Sequence, residues 1–330
     1  MTVLTSLLQA ESPQLRPLNI LHDLPAVANL IEQCFANTMD AEGRSYLQQM
    51  RRSSQNSSFL RWAAAAVETV SMPLSGFVWE ENGEIIGNVS LIPYILKRQR
   101  VYLIANIAVQ PDCRRRGIGR ALTLAAMQRA DQRHADEVWL HVRDDNPGAI
   151  ALYTHLGFQE LARRTMWQAK PDRNVSPDGL YVNVAKRSAR DWPQQEIWLR
   201  RLYPDLLTWY QPMPWRSLRP GLGPALYRFM MDHDVCHWTA RIGSETSAVV
   251  SWQAMAGDND RLWSAIPLEG SERALTALLL HVRRERAWRR TLTLDFPAGQ
   301  YNAPIEAAGF HPHRTLLWMK LQPSNPVNHA

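Results

Sequence analysis

The sequence predicts an α/β fold made of two similar domains, each with a mixed central β-sheet flanked by helices. Its 330 residues exceed the usual size of a single domain. Strand-like and helix-like apolar patterns alternate along the first half, and several of them recur in the second half. Hydrophobic residues make up 45% of the chain and charged residues 21%, a composition that excludes wholesale disorder.

The first half contains the following predicted elements: a strand over 15–19, helices over 23–35, 40–52 and 58–70, a hairpin over 76–94, a strand over 100–109, a helix over 119–133, a strand over 137–142, a short helix over 147–156 and a closing strand over 161–168. Pro25 follows Asp23 as at a helix start. Asn82-Gly83 is a two-residue hairpin turn between β-rich arms. The apolar run 104–109 indicates a strand buried on both faces.

The segment 171–191 has the composition of a linker because it contains Pro171, Pro177, Gly179 and several polar residues. It also carries Leu180-Tyr181-Val182, a stretch suited to an edge strand. We therefore expect a first domain over 1–170, a linker over 171–191 and a second domain over 192–330.

The second half repeats patterns of the first in the same order. The tetrapeptide 120–123 recurs at 273–276, and Gly157-Phe158 recurs as Gly309-Phe310. Each Gly-Phe pair precedes a strand that ends in Met and Trp. Several matches at a nearly constant offset indicate that the two halves arose by duplication and share one fold.

Charge and cysteine content limit the functional classes. The net charge of +6 favours an anionic partner, which nucleic acid, a membrane surface or a phosphorylated cofactor would each satisfy. No nucleic-acid-binding signature and no long apolar run accompany it, so we expect neither nucleic acid nor a membrane. Cys34, Cys113 and Cys236 are widely spaced, which argues against disulfides and cysteine metal sites. The start of the chain lacks a secretory signal pattern, so we expect a cytoplasmic protein.

The segment 114–121 is the most distinctive motif, because a basic, glycine-containing loop lies between a buried strand and a helix. Its residues are Arg114, Arg115, Arg116, Gly117, Ile118, Gly119, Arg120 and Ala121. Glycines let the backbone approach a ligand, and the helix N-terminus and arginines attract an anion. The spacing matches neither a P-loop nor a GxGxxG fingerprint. These features are those of a pyrophosphate cradle.

The motifs around this loop resemble those of the GNAT superfamily of N-acetyltransferases. They are Asn106-Ile107-Ala108-Val109, then Arg114-x-x-Gly117-x-Gly119, then Asn146-x-x-Ala149-x-x-Leu152-Tyr153-x-x-x-Gly157-Phe158. Within the superfamily, this region is most similar to the bacterial ribosomal-protein alanine N-acetyltransferases. The tandem layout resembles that of mycothiol-synthase-type proteins. The strong part of the resemblance covers roughly residues 100–160.

The resemblance implies a co-substrate, acetyl-CoA, and roles for individual residues, with no metal. The backbone of Ile107, Ala108 and Val109 would bind the pantetheine arm. Arg114 and the N–H groups of 115–120 would hold the pyrophosphate, and Asn146 and Ala149 would contact the co-substrate. Tyr153 would donate a proton to the leaving thiolate as the general acid.

The general base is less clearly marked. The alanine N-acetyltransferases carry glutamate as the base in a Leu-x-Val-Arg motif, and here the corresponding residue is His141. Imidazole ordinarily has a pKa near 6.5 and can accept a proton at neutral pH. Alternatively, His141 is a strand residue satisfied by a neighbour. Glu80 and Glu81, at the hairpin, are fallback candidates or else solvated turn charges.

The second half lacks the features that the resemblance assigns to catalysis. Alignment on the shared tetrapeptide places Pro267, Gly270 and Glu272 opposite Arg114, Gly117 and Gly119. Alignment on Gly-Phe places Ile305 opposite Tyr153 and Ala298 opposite Asn146. Glu269 and Glu272 would repel a pyrophosphate, so we expect a degenerate domain that does not bind acetyl-CoA.

The leading hypothesis is an acetyl-CoA-dependent N-acetyltransferase that acts on a small-molecule primary amine, in the first domain. The second domain would then wall in the acceptor. Acetylation of a protein N-terminus or lysine is a near alternative, suggested by the similarity over 104–158. A non-catalytic acyl-CoA sensor or partner-binding module is an alternative of another class. The acceptor and the oligomeric state stay open.

Overall fold

The structure is a computed structural model that describes residues 12–56, 58, 60–62, 70–96, 99–210, 212–255, 257–288 and 290–322. The chain divides into two compact units. Unit 1 comprises residues 1–161 and 317–330, and unit 2 comprises residues 162–316. The strand elements in chain order are β1 Leu15–Pro17, β2 Ser75–Glu81, β3 Glu84–Leu96, β4 Gln99–Val109, β5 Glu137–Arg143, β6 Phe158–Ala169, β7 Asn183–Lys186, β8 Val235–Ile242, β9 Glu245–Gln253, β10 Asn259–Ala265, β11 Thr291–Pro297 and β12 His311–Leu321.

The helices described by the structure are α1 Leu24–Phe35, α2 Ala41–Ser54, α3 Ile118–Gln132, α4 Pro147–His155, α5 Trp192–Leu202, α6 Asp205–Thr208, α7 Trp215–Leu218, α8 Leu222–Met230, α9 Glu272–Glu285 and α10 Asn302–Ala307. Most of the predicted helix over 58–70 lies outside the described residues. The described residues within 58–62, which are 58 and 60–62, are helical. The other helices and the strands of the first half form close to their predicted positions.

Unit 1 is built on a mixed sheet. Strands β1 to β4 pair antiparallel in sequence order, and β5 joins β4 in parallel after the crossover through α3. The predicted turn closes the β2–β3 hairpin, where Asn82 and Gly83 both have positive φ, as a type I′ turn requires. Residues 317–319 of β12 belong to the same unit, with Leu317 and Met319 buried in its core.

Two hydrophobic clusters hold the helices of unit 1 on the sheet. One cluster packs α1 and α2 and includes Leu30, Leu47 and Val78. The other packs α3 and includes Leu122 and Leu140. The buried positions of both clusters follow the helical and strand periodicities read in the sequence.

A glycine sets the distance between α3 and the sheet. A Cβ added at Gly87 of β3 would lie 3.0 Å from side-chain atoms of Ile118, Leu122 and Trp79. Only a residue without a side chain therefore lets the first turn of α3 pack this closely on β3. This contact fixes the start of α3 beside the end of β4, where the basic loop lies.

Unit 2 has the same strand order and the same pairing directions. Strands β7 to β10 are antiparallel, β11 joins β10 in parallel after α9, and the end of β6 pairs antiparallel with β11. Its core contains large aromatic residues, among them Trp167, Trp252 and Phe296. The shared topology confirms the expectation of two domains of one fold, each with a mixed sheet and flanking helices.

The compact units differ from the boundaries expected at 170 and 191. Each unit takes its last strand segment from the distant part of the sequence, because residues 162–169 pair in unit 2 and residues 317–322 return to unit 1. The Nζ of Lys320 lies 2.6 Å from Oε1 of Glu137, and the N–H of Gln322 donates to the carbonyl of Gly157. Amino-acid composition does not show whether a sheet pairs with its own last strand or with the similar strand of the other unit.

The expected linker is also structured in part. The edge strand anticipated at 180–182 begins at Asn183 and runs to Lys186, pairing with β8. A short 3₁₀ helix follows over Ala189–Asp191, and the Asp191 carboxylate accepts hydrogen bonds from Thr239, Arg241 and Thr246. These contacts bind the end of the segment into unit 2.

Residues near the C-terminus should therefore stabilise unit 1. Leu317 is 1% exposed in its core, so Leu317→Ala should lower the free energy of unfolding by about 2–5 kcal/mol, through lost burial and a cavity. Leu161→Ala is the matched control, because Leu161 is 41% exposed and should cost less than about 0.5 kcal/mol. Urea unfolding followed by tryptophan fluorescence measures both. Equal effects of the two substitutions would contradict the assignment of Leu317 to this core.

Candidate active site

Strand β4 contains a bulge opposite β3, and Asn106 occupies it. The register with β3 shifts between Asn88 and Ser90, so β4 holds an extra residue there. Asn106 has a φ of 51°, a left-handed conformation that asparagine tolerates better than most residues. Its amide Nδ2 donates to Tyr46 Oη at 2.9 Å and to Ser90 Oγ at 3.2 Å, while Asn88 Nδ2 donates to the Asn106 carbonyl. Side-chain bonds thus hold the bulge in place.

Beside this bulge the two parallel strands of unit 1 separate. Pairing between β4 and β5 runs from Val101 opposite Glu137 to Ile104 opposite Leu140, and no pair follows among the described residues. The end of β4 remains paired with β3 on its other side. A strand edge of this kind presents backbone N–H and C=O groups to an extended ligand.

The predicted backbone-binding residues occupy this strand end. Ala108 is buried in the α1–α2 cluster, whereas Ile107 and Val109 are half-buried against the α3 cluster, as alternation along a strand requires. The Val109 carbonyl accepts hydrogen bonds from Arg114 Nε at 3.1 Å and from Cys34 Sγ at 3.3 Å. The first arginine of the basic loop is therefore bonded to the end of β4.

The basic loop leads directly into the N-terminus of α3. Arg115 and Gly117 both have positive φ, at 65° and 84°, and Gly117 caps the helix. A Cβ added at Gly117 would meet no described atom within 4 Å, so the loop backbone borders open space there. The first N–H that bonds within the helix is that of Ala121, to the Gly117 carbonyl. The preceding N–H groups point off the helix end, which favours an anion.

The arginines of the loop are all exposed, and one of them forms an ion pair. Arg116 lies 2.7 Å from the Glu81 carboxylate. Hydrogen bonds from the Trp79 indole and from Arg116 lower the pKa of Glu81. Glu80 instead binds Arg16, at 2.6 Å. Both fallback bases are thus held in ion pairs, Glu81 with the loop and Glu80 with β1.

Helix α4 carries three of the predicted residues. Asn146 is its N-cap, and its Oδ1 accepts from the Ala149 N–H at 3.2 Å. Tyr153 is 6% exposed and contacts the Phe158 ring edge-on, with centroids 6.3 Å apart. Burial raises the pKa of Tyr153 well above its usual range, because a phenolate would lose its solvation. The phenol therefore keeps its proton at neutral pH.

His141 lies on β5 just past the last residue that pairs with β4. It is half-buried and alternates with Leu140 and Val142, which face the α3 cluster. Its ring contacts the Trp318 indole of β12, with centroids 4.0 Å apart and the planes inclined at 49°. A residue near the C-terminus thus contacts the candidate base in unit 1.

Several residues of this site had no signal in the sequence. Tyr46 and Ser90 bond the Asn106 amide, and Trp318 contacts His141, but each comes from a segment distant in sequence. The tolerance of asparagine for positive φ could have marked Asn106 as the bulge residue. Nothing comparable marks Trp318, whose contact depends on where β12 lies in the fold.

The corresponding positions of unit 2 have a different chemistry. Gly270 keeps a positive φ of 80°, and Ser271 is the N-cap residue of α9 but makes no side-chain capping bond, because its Oγ donates instead to the Ser247 carbonyl. Glu272 is the first residue of that helix, and Ile305, opposite Tyr153 in the repeat, is fully buried in the apolar core. These residues offer no cationic loop and no phenol at those positions.

Within the described part of the chain, no group of three or more His, Cys, Asp or Glu residues is placed to hold a metal ion. Among the same residues, no helix has the length and apolar character needed to cross a membrane.

Part of the first half is similar to known proteins. Residues 32–158 match the profile described as Acetyltransferase (GNAT) family. The [ribosomal protein bS18]-alanine N-acetyltransferase of Escherichia coli (strain K12) is 43% identical over 67 residues, 20% of this chain and 45% of that protein. The mycothiol acetyltransferase of Saccharomonospora viridis is 45% identical over 55 residues, 17% of this chain and 18% of that protein. The matches thus span less than half the length of these relatives.

A solved structure extends the likeness to both units. The tandem GNAT protein from the clavulanic acid biosynthesis pathway has a TM-score of 0.50 and 16% identity, covering 94% of this chain and 99% of that chain. At this identity the likeness concerns the fold. It confirms the expectation of two tandem domains of one architecture.

The Asn106 bulge should be costly to disturb. Asn106→Ala places alanine at positive φ and removes the amide, so it should lower the free energy of unfolding by about 2–4 kcal/mol. Asn106→Gly relieves the backbone and should cost less. Asn82→Ala, at a φ of 53° in an exposed turn, isolates the backbone cost at about 1 kcal/mol. Urea unfolding ranks the three, and an Asn106→Ala variant no less stable than Asn82→Ala would contradict the role of the amide.

Proposed function

Because residues 32–158 match the Acetyltransferase (GNAT) family profile, we propose that the protein is an acetyl-CoA-dependent N-acetyltransferase whose reaction takes place in unit 1. One observation carries the proposal. The gap between β4 and β5 opens beside the bulge at Asn106, and the basic loop and the buried phenol of Tyr153 belong to the same unit. These are the elements that bind, orient and protonate in a direct acyl transfer.

The residues present suit the charges and shape of acetyl-CoA, which the family uses in general and which supplies the acyl group as a thioester. The N–H groups at the start of α3, together with Arg114, Arg115 and Arg120, would hold the pyrophosphate. The backbone of 107–109 would bind the pantetheine arm, with Asn146 and Ala149 at the start of α4 contacting the same substrate.

Tyr153 is proposed as the general acid. When the amine attacks the thioester carbon and the carbon–sulfur bond breaks, the departing thiolate needs a proton. A buried phenol that retains its proton at neutral pH can supply it and regain one afterwards from solvent or from the base.

His141 is proposed as the base that deprotonates the acceptor ammonium, directly or through water. Its contact with the Trp318 ring restricts how the imidazole can rotate. Glu80 and Glu81 are weaker candidates because each is held in an ion pair with an arginine. The base assignment therefore favours His141 over both carboxylates.

The acceptor is proposed to be a primary amine of a small molecule. The relatives include both acceptor classes. One is named as a ribosomal-protein alanine N-acetyltransferase, with a protein acceptor, and the other as a mycothiol acetyltransferase, with a small-molecule name. A peptide N-terminus or lysine is the second candidate, favoured by the 67-residue similarity to the first relative. Unit 2 is proposed not to bind acetyl-CoA, because Glu269 and Glu272 would repel the pyrophosphate.

A thiol-release screen with acetyl-CoA tests this function. The full chain is assayed against simple amines, polyamines, aminoglycosides and N-terminal peptides, with acetyl-CoA alone as the background. Release stimulated by small amines supports the first acceptor class, and release stimulated only by peptides supports the second. Acetyl-CoA binding without release by any amine would overturn the catalytic proposal in favour of an acyl-CoA sensor.

Tyr153→Phe should reduce turnover by about a hundredfold and leave the Kd for acetyl-CoA nearly unchanged, because the ring stays in place while the proton donor is lost. Thiol release and calorimetric titration measure the two effects. Tyr181→Phe is the control, since Tyr181 is 92% exposed in unit 2. Unchanged turnover in Tyr153→Phe would show that another group protonates the thiolate.

The base assignment predicts different results for two substitutions at one position. His141→Gln should lower kcat by about ten- to a hundredfold, whereas His141→Glu should retain much of it, because a carboxylate can also accept the proton. The acid limb of the kcat/KM profile should move to lower pH in His141→Glu, since a carboxyl ordinarily has a lower pKa than imidazole. Full activity in His141→Gln would exclude His141 as the base.

A further inference from the structure

A cavity of unit 1 lies away from the candidate active site. It has a volume of about 510 Å³ and is bordered by the loop after β1, the start of β2 and the C-terminal end of α3. Most of its wall is apolar, with Ile20, Leu74 and Leu91 buried and the Tyr102 ring beside them. This volume lies within the usual range for small-ligand sites.

Two arginines from the end of α3, Arg129 and Arg133, supply the cationic part of the lining. Arg129 is half-buried, and its guanidinium lies over the Phe77 ring, 5.5 Å from the centroid. Because Arg129 lines the cavity and is only half-buried, its guanidinium can donate to an anion bound there.

The charges around the cavity favour an anion. No carboxylate belongs to its described lining. The buried Asp23 nearby already accepts hydrogen bonds from Arg16 and from the Asn19 N–H. Asp136, beyond the end of α3, accepts from the Arg100 N–H. Among the described residues, Arg129 thus has no acidic partner that would compete with a bound anion.

The cavity is separate from the basic loop. Arg129 and Arg133 stand at one end of α3 and the loop at the other, and this helix of 15 residues is about 22 Å long. An anion bound at the cavity would thus not occupy the proposed pyrophosphate position.

The geometry points to a binding site for a small carboxylate with an apolar tail. The carboxylate accepts from the Arg129 guanidinium, and the tail lies against Leu74, Leu91 and Tyr102. Inorganic phosphate or a nucleotide would leave the apolar wall uncovered, and a neutral or cationic amphiphile would leave the guanidinium without an acceptor.

Calorimetric titration of the full chain with octanoate tests the site, with octylamine as a probe of matched tail and opposite charge. Octanoate should bind at one site, and Arg129→Met should weaken it about tenfold, as expected for loss of a charge-assisted hydrogen bond. Arg133→Met should weaken it less. Arg173→Met, an exposed arginine of unit 2, should leave it unchanged. Octylamine should not bind.

The site is disproved if octanoate fails to bind, if octylamine binds equally well, or if Arg129→Met binds octanoate as tightly as the unsubstituted chain. Circular dichroism checks that Arg129→Met folds. If it does not, Arg129→Lys replaces it, because lysine keeps the positive charge but lacks the planar fork of guanidinium donors, and it should also weaken binding several-fold. Neither acetyl-CoA nor an amine enters the titration, so its outcome is independent of the proposed acetyl transfer.

Discussion

The parallel pairing of β4 with β5 ends at Ile104 and Leu140, and the candidate active site depends on this early end. Past that point β4 follows β3 alone, and the bulge at Asn106 changes its course. The strand edge so created, the arginine loop and the start of α4 all belong to unit 1. If β4 and β5 stayed paired to their ends, the backbone of 107–109 would bond to β5 and have no groups to offer a substrate.

The bulge shows how side chains stabilise an irregular backbone. Asn106 donates to a tyrosine of α2 and a serine of β3, and it accepts from Asn88 through its carbonyl. Polar groups at the centre of a sheet would be destabilising without such partners. The same bonds connect α2, β3 and β4, so one helix and two strands share one hydrogen-bond network.

The two units share a topology but differ in charge at equivalent positions. The loop before α3 and the first turn of that helix together carry four exposed arginines, whereas the loop before α9 and the first turn of that helix carry Glu269 and Glu272. Pairing directions depend on apolar pattern and turn length, which the two units share, and anion binding depends on a few surface residues that can change without loss of the fold. Two clusters of arginine in unit 1 are accordingly candidate anion-binding sites. One is the loop before α3, and the other is the pair of arginines at the C-terminal end of that helix.

The sequence by itself determined the α/β class, the duplication, the basic loop and the positions of Asn146 and Tyr153, because periodicity, turn residues and motif spacing are local properties. The tertiary structure alone decided that residues 317–322 return to unit 1, that Trp318 contacts His141 and that Tyr46 holds Asn106. It also decided that Glu80 and Glu81 are held in ion pairs. Such contacts join residues that are distant in sequence. They depend on how the strands pair and which side chains are buried, and no local sequence pattern encodes either.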